Sequence, residues 1–234
     1  KKAAAMEGAD FVYLCLEGGD PNGENKSVED LVAVVKEVAD AIDAPLVVAG
    51  CKNVEKDAEL LPKVAEALQG KNVVIMPAKE ENYKAIGAAA GLAYNQKLGA
   101  ESAVDINLAK QLNVVTTQLG VKPESIVMNV GTATAGYGYE YVVSTMDRVK
   151  AAALSQDDAM LQMPILTPVA SETWNVKESV ASEEDSPEWG SREERGISME
   201  IMTAAADLVS GSNAVVLQHP QSVATISKMI KELV

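Results

Sequence analysis

The chain has 234 residues, 47% hydrophobic and 23% charged, enough for one globular domain with a full core. Its 20 Lys and Arg against 34 Asp and Glu give a formal net charge of −14, which opposes docking to nucleic-acid phosphates or to an anionic membrane surface. One histidine and two cysteines exclude a four-cysteine iron–sulfur cluster, leave a structural zinc site only with carboxylate help, and fit a reducing cytoplasm.

Residues 1–8, Ala-rich and closed by a glycine, read as the last turns of a helix whose upstream part is missing. No signal peptide follows, and no apolar run reaches the roughly 18 residues of a membrane span. Residues 11–16 are a short apolar run. A Gly/Asp/Pro/Asn loop leads to a helix over 27–42, with Ser27 as N-cap and Asp30 three residues on, a capping-box pattern. Val28, Leu31, Val32, Val35, Val38, Ala39 and Ile42 recur at helical spacing and give that helix one buried stripe.

A strand over 45–49 precedes a helix over 54–68. A strand over 73–76, stopped by Pro77, precedes a helix over 80–94. A weaker strand over 102–104 leads into a helix over 106–119. A strand over 125–129 is followed by a glycine-rich loop and a helix over 140–154. A strand over 163–167, a long polar loop, a helix over 197–210, a strand over 214–217 and a helix over 222–233 complete the order.

The strands begin near residues 10, 45, 72, 101, 125, 162 and 213. Each is read as a continuous apolar run, as burial of both faces in a parallel sheet demands. Seven strand–helix units behind a helix tail imply one domain over residues 1–234, an α/β fold of the (βα)8 TIM-barrel class lacking its first strand. The alternative is an open doubly wound sheet, which normally carries an early glycine-rich phosphate loop. Gly136-Tyr-Gly138 starts such a pattern, but Tyr141 stands where the third glycine belongs. Gly131 and Gly136 have Walker spacing, but Tyr137 and Gly138 replace its Lys and Ser/Thr.

A barrel carries its site at the C-terminal ends of its strands. That selects Glu17, Asp20, Asn53, Glu81, Asp105, Asn107, residues 129–139, residues 167–195 and His219. Asn129 either bonds a flat heterocycle or simply ends its strand. Gly131, Thr132, Gly136, Tyr137 and Gly138 form a loop whose glycines admit a ligand closely or make a tight turn. Asp105 and Asn107 read as helix caps, His219 as a structural residue before Pro220, and Cys15 and Cys51 as small buried apolar groups. Residues 170–196 hold both tryptophans, Trp174 and Trp189, and the acidic run 183–185. A connection this long is commonly functional, and its tryptophans suit an interface or a flat ligand.

The segments Val48-Ala-Gly-Cys-Lys-Asn-Val-Glu-Lys-Asp57, Glu81-Asn-Tyr-Lys84, Val104-Asp-Ile-Asn-Leu-Ala-Lys-Gln-Leu-Asn113 and Ala135-Gly-Tyr-Gly-Tyr-Glu140 share one resemblance. Thr145-Met-Asp-Arg148, Glu188-Trp-Gly190, Glu194-Arg-Gly196 and His219-Pro220 belong with them. Together they resemble the small subunit of the corrinoid iron–sulfur protein of the acetyl-CoA (Wood–Ljungdahl) pathway, the acetyl-CoA decarbonylase/synthase delta subunit. Members of that family carry a further segment ahead of position 1.

The resemblance implies a barrel paired with a larger subunit that carries the four-cysteine iron–sulfur cluster and a corrinoid-binding domain. The corrinoid (cobalamin) then lies between the two barrels of the heterodimer. A separate methyltransferase delivers a methyl group from methyltetrahydrofolate to cobalt(I), and acetyl-CoA synthase/CO dehydrogenase receives it at nickel. The role left to this chain is a dry cap over the corrin. The candidate corrin-facing residues are Asn129, Gly131, Thr132, Gly136, Tyr137, Gly138 and His219. Trp174 and Trp189 are the candidate contacts with the large subunit, and no catalytic or metal-ligating residue is assigned. Two other readings compete. One is a pterin-binding methyltransferase of the same barrel class, with Asn53, Asp105 and Asn129 bonding the ring. The other is a scaffold without a ligand.

Overall fold

Among the described residues seven strands, all parallel, follow one another in space as they do in the chain. The computed structural model describes residues 1–233. The strands are β1 (Val12–Cys15), β2 (Leu46–Ala49), β3 (Val74–Ala78), β4 (Lys97–Glu101), β5 (Ile126–Asn129), β6 (Leu166–Thr167) and β7 (Ala214–Val215). The first five form one sheet in chain order, and β6 pairs with β7. A parallel bridge between Met128 and Ile165 joins the two groups. The helices are α1 (Val28–Ala41), α2 (Val54–Ala67), α3 (Tyr83–Ile86), α4 (Ile106–Gln118), α5 (Tyr139–Ser155), α6 (Val169–Thr173), α7 (Lys177–Val180), α8 (Arg192–Ser210) and α9 (Pro220–Leu233).

Local chemistry sets the helix starts. Ser27 accepts the Asp30 N–H at 3.1 Å, as the sequence expects of an N-cap, and the carboxylate of Asp30 accepts the Ser27 hydroxyl at 2.7 Å rather than completing a capping box at the Ser27 N–H. Asn53 accepts the Lys56 N–H, and Asp105 accepts those of Asn107 and Leu108. Each such cap contributes about 1 kcal/mol.

Apolar side chains fill two zones between the strands and the helices. Val48, Leu60, Leu61 and Ile75 lie in the first, and Leu112, Met128, Met146 and Ile165 in the second, all essentially without solvent contact. Each fully buried Leu or Ile contributes roughly 1.5–3 kcal/mol. A third zone holds Val47, Ala49, Met76 and Leu166, flanked by half-buried Phe11, Tyr13, Val127 and Val216. Alternation along the strands makes this the barrel interior.

The wall is open at one seam. Among the described residues no strand pairs with the second edge of β1 or of β7. Val12 and Leu16 donate their N–H groups to β2, so alternation turns those of Tyr13 and Cys15 toward the seam. Val216 donates to β6, which turns the Val215 and Leu217 N–H groups the same way. The described strands thus form a partial barrel, open at this seam.

Several expectations are corrected. Residues 1–8 hold one 3-10 turn, Ala3–Ala5, rather than a helix end. Pro77 does not stop β3; the strand runs through it to Ala78, with a register shift between Ile75 and Ala78. The fourth strand is Lys97–Glu101, not 102–104, because the tight fit of Gly99 on Met76 selects small residues over an apolar run. The helix after β3 is α3 continued by a π-helical Gly87–Ala93. Residues 170–196 are not a loop but two short helices and a 3-10 turn, Pro187–Trp189, and α8 starts at Arg192 behind the N-cap Ser191. Strands β6 and β7 are two residues each, shorter than read.

Candidate functional site

The C-terminal ends of the strands surround a cavity of about 1600 Å³ that continues into the open seam. Three side chains link the ends of β3, β4 and β5 across its floor. Lys79 pairs with Glu101 at 2.8 Å, and Asn129 donates from Nδ2 to the other Glu101 oxygen at 2.9 Å. Asn129 Oδ1 accepts the Gly131 N–H at 2.9 Å, so one carboxamide both ends β5 and shapes the loop after it. Tyr13 and Cys15 of β1 face the same cavity. Burial, then the negative charges of Cys15, Glu101 and Glu17, push the Tyr13 hydroxyl above its ordinary range. At the rim Lys52, itself left-handed at φ 67°, reaches Glu17 at 2.6 Å.

Burial pushes the Cys15 thiol up to about 11 and raises that of Cys51 as well. Thiolate, not thiol, is the nucleophile. Both cysteines should therefore resist iodoacetamide at pH 7.5 in the folded chain and react fully in denaturant. Equal labelling rates with and without denaturant would contradict this placement.

The structure divides the sequence-selected residues. Asn129, Gly131, Thr132 and Trp174 line the cavity. Gly136 and Tyr137 form an exposed tip beside it, where Tyr137 donates its hydroxyl to Glu178 of α7. Gly138 is left-handed at φ 82° and precedes α5. His219 lies after β7 with both ring nitrogens engaged: Nδ1 accepts the Gln221 N–H and Nε2 faces Glu193 at 3.2 Å. Trp174 stacks on the His219 ring, centroids 6.0 Å apart, over Gly196, where any Cβ would stand 2.3 Å from the indole. Trp189 is set between Lys177 and Arg195, away from the cavity.

Sequence reading misses the residues that hold this frame. Glu200, fully buried on α8, accepts the N–H groups of Gln218 (2.6 Å) and His219 (3.2 Å) and so fixes the turn after β7. Asp57, buried on α2, accepts the Cys51 N–H at 2.7 Å and occupies the space a Cβ at Gly50 would need. Lys79 and Glu101 escape notice because the strand ends that carry them are assigned elsewhere. A signal for α8 does exist: Glu200, Thr203 and Asp207 stand where its apolar stripe belongs.

Residues 1–218 match the family model described as CO dehydrogenase/acetyl-CoA synthase delta subunit. The acetyl-CoA decarbonylase/synthase complex subunit delta 1 of Methanosarcina thermophila is 32% identical over 240 residues, covering 100% of this chain and 54% of that protein. The corresponding subunit delta of Archaeoglobus fulgidus is also 32% identical, covering 100% and 52%. The chain thus spans about half the length of these relatives. Among solved structures, Yersinia pestis dihydropteroate synthase with a pterine-sulfa conjugate superposes with a TM-score of 0.67 at 13% identity, over 99% of this chain and 86% of that one. At that identity the likeness shows the fold, an α/β TIM barrel.

Proposed function

The chain belongs to the CO dehydrogenase/acetyl-CoA synthase delta subunit family, and from that premise we propose that it is the barrel that caps a corrinoid held by a larger subunit. In this reading the partner carries the iron–sulfur cluster, methyltetrahydrofolate methyltransferase supplies the methyl group, and acetyl-CoA synthase/CO dehydrogenase accepts it. The observation that carries the proposal is the family match across residues 1–218.

The residues at the mouth fit a broad, flat ligand carrying amide side arms. Gly136, at the exposed tip beside the cavity, has open space where a side chain would project, so a macrocycle seated over it would meet backbone. The Lys79–Glu101–Asn129 line offers a donor and an acceptor to a carboxamide arm. A bound corrinoid would supply the cobalt that takes up and hands on the methyl group. Residues 131–138 would lie against the corrin and exclude water from it. Trp174, stacked on His219, would form a rigid apolar edge of the same cover. Trp189, with its flanking cations, would meet the large subunit. Among the described residues no helix is long and apolar enough to cross a membrane.

Of the three side chains assigned to a pterin ring, Asn129 alone lines the cavity; Asn53 and Asp105 cap α2 and α4. No observation favours the methyltransferase reading over the carrier.

The test is Gly136→Trp in the complex isolated from its source. Position 136 is exposed and no atom stands within 4 Å of a Cβ there, so the fold should survive apart from about 1 kcal/mol for the left-handed backbone. Corrinoid content, read by absorption of the complex, should fall several-fold. Full corrinoid content and an unchanged methylation rate would overturn the proposal, as would a wild-type sample that is a colourless homo-oligomer.

A further inference from the structure

The loop between β5 and α5 is moored to the buried face of α8. Thr132 donates from Oγ1 to Asp207 Oδ2 at 2.9 Å, and Thr203 Oγ1 accepts the Ala135 N–H at 3.1 Å. Tyr139, at the start of α5, sits against Ser210 at 3.5 Å and against the same carboxyl. Asp207 is fully buried, and its Oδ1 has no hydrogen-bond partner. A buried carboxyl with an orphan oxygen is unfavourable in a helix stripe that an apolar residue would fill. Its presence there is better explained by a task than by stability. The loop itself has left-handed glycines at 131, 136 and 138, which are natural swivel points.

We propose that Asp207 is the positioning residue of this loop, seating residues 131–138 on the barrel mouth while it holds a proton and loosening them when it does not. Burial pushes its carboxyl up to about 6, against the pull of the Thr132 and Tyr139 hydroxyls. Tyr139 is the titratable group that α5 sets against it. Lys150 of α5 passes over Gly211 to Asn213 at 3.3 Å, and Glu200, earlier on α8, is bound to the turn after β7. Lifting the loop removes Thr132 and admits water, which returns the carboxyl toward its ordinary value of 3.8. The seated loop is therefore the proton-binding state. It is favoured fully below about pH 4 and progressively less as pH rises through about 6. Treating the loop as a docking element rests on the reading above; its mooring to α8 does not.

Hydrogen exchange of residues 131–138 in the chain alone, corrected for intrinsic chemistry, tests the proposal. The opening equilibrium in the wild type should rise roughly tenfold or more between pH 5 and pH 8, with its midpoint near 6. Asp207→Asn, of the same shape, should give a flat profile. Thr132→Val should leave the loop open across the range, and Thr132→Ser should restore the wild-type profile. A flat wild-type profile, or one that Asp207→Asn shares, would overturn the proposal. No corrinoid enters this experiment, so a failure of the carrier reading would leave its result unchanged.

Discussion

Glu200→Ala should lower folding stability by about 3–5 kcal/mol. The substitution removes a fully buried carboxyl side chain and leaves two backbone N–H donors, of exposed Gln218 and half-buried His219, without their acceptor. A donor left without its carboxylate acceptor costs roughly 1–3 kcal/mol, and two are left here. The damage should be local in origin. The turn after β7 carries His219, Trp174 stacks on that ring, and the same tryptophan caps the C-terminal end of α6. Urea unfolding gives the stability, and the near-UV circular dichroism of Trp174 reports the turn. Glu200→Gln keeps one acceptor and should cost roughly 1–2 kcal/mol. An Ala variant within 1 kcal/mol of wild type would show that the two N–H groups find water instead.

Gly99→Val should cost about 3 kcal/mol or more. Gly99 is buried on β4, and any Cβ there would stand 2.4 Å from the Met76 Cβ. The opposing atom is fixed to backbone, so no rotamer change relieves the overlap and the two strands must part. Parting β3 from β4 also pulls Lys79 from Glu101, which links the packing of the wall to the polar line on its floor. Thermal unfolding measures the loss, and the crystal structure of a surviving variant would show the 2.8 Å pair lengthened. Gly136→Ala, with open space around it, is the matched control and should cost about 1 kcal/mol.

The order of elements was legible because most helices are long and most strands apolar. The stripe on α1 and its Ser27 N-cap are local signals, and they reappear within a residue of their expected places. β4 is different. Lys97-Leu-Gly-Ala-Glu101 is not an apolar run, since its interior must be small against Met76 and its last residue serves the cavity. Residues 169–190 misled for another reason. Helices of four or five residues show no full period, and their buried positions are Thr173 and Ser179 as well as Val169.

The site was half legible. Strand-end logic selects Asn129, Gly131 and Thr132, which line the cavity, and picks out Trp174 from a segment it misreads as loop. It cannot separate Trp189, whose surroundings are set by cations distant from the mouth. Asp57, Glu200 and Asp207 are invisible to a search for surface chemistry, because an acidic residue on a helix normally signals the solvated face. Their roles depend on which backbone N–H groups and hydroxyls a distant turn brings to them, and that is decided by the fold.

The open seam makes the charge of the chain a matter of colloid behaviour. Two bare strand edges, flanked by half-buried Phe11 and Val216, are adhesive toward any extended backbone, a second molecule included. Against that adhesion stands the mutual repulsion of residues 1–234, which carry a net charge of −14. That repulsion reaches only about 10 Å at 0.1 M salt and about 3 Å at 1 M. Salt therefore removes the guard while leaving the adhesive edge intact. For residues 1–234 taken alone, raising the salt should therefore favour edge-to-edge pairing relative to dilute buffer.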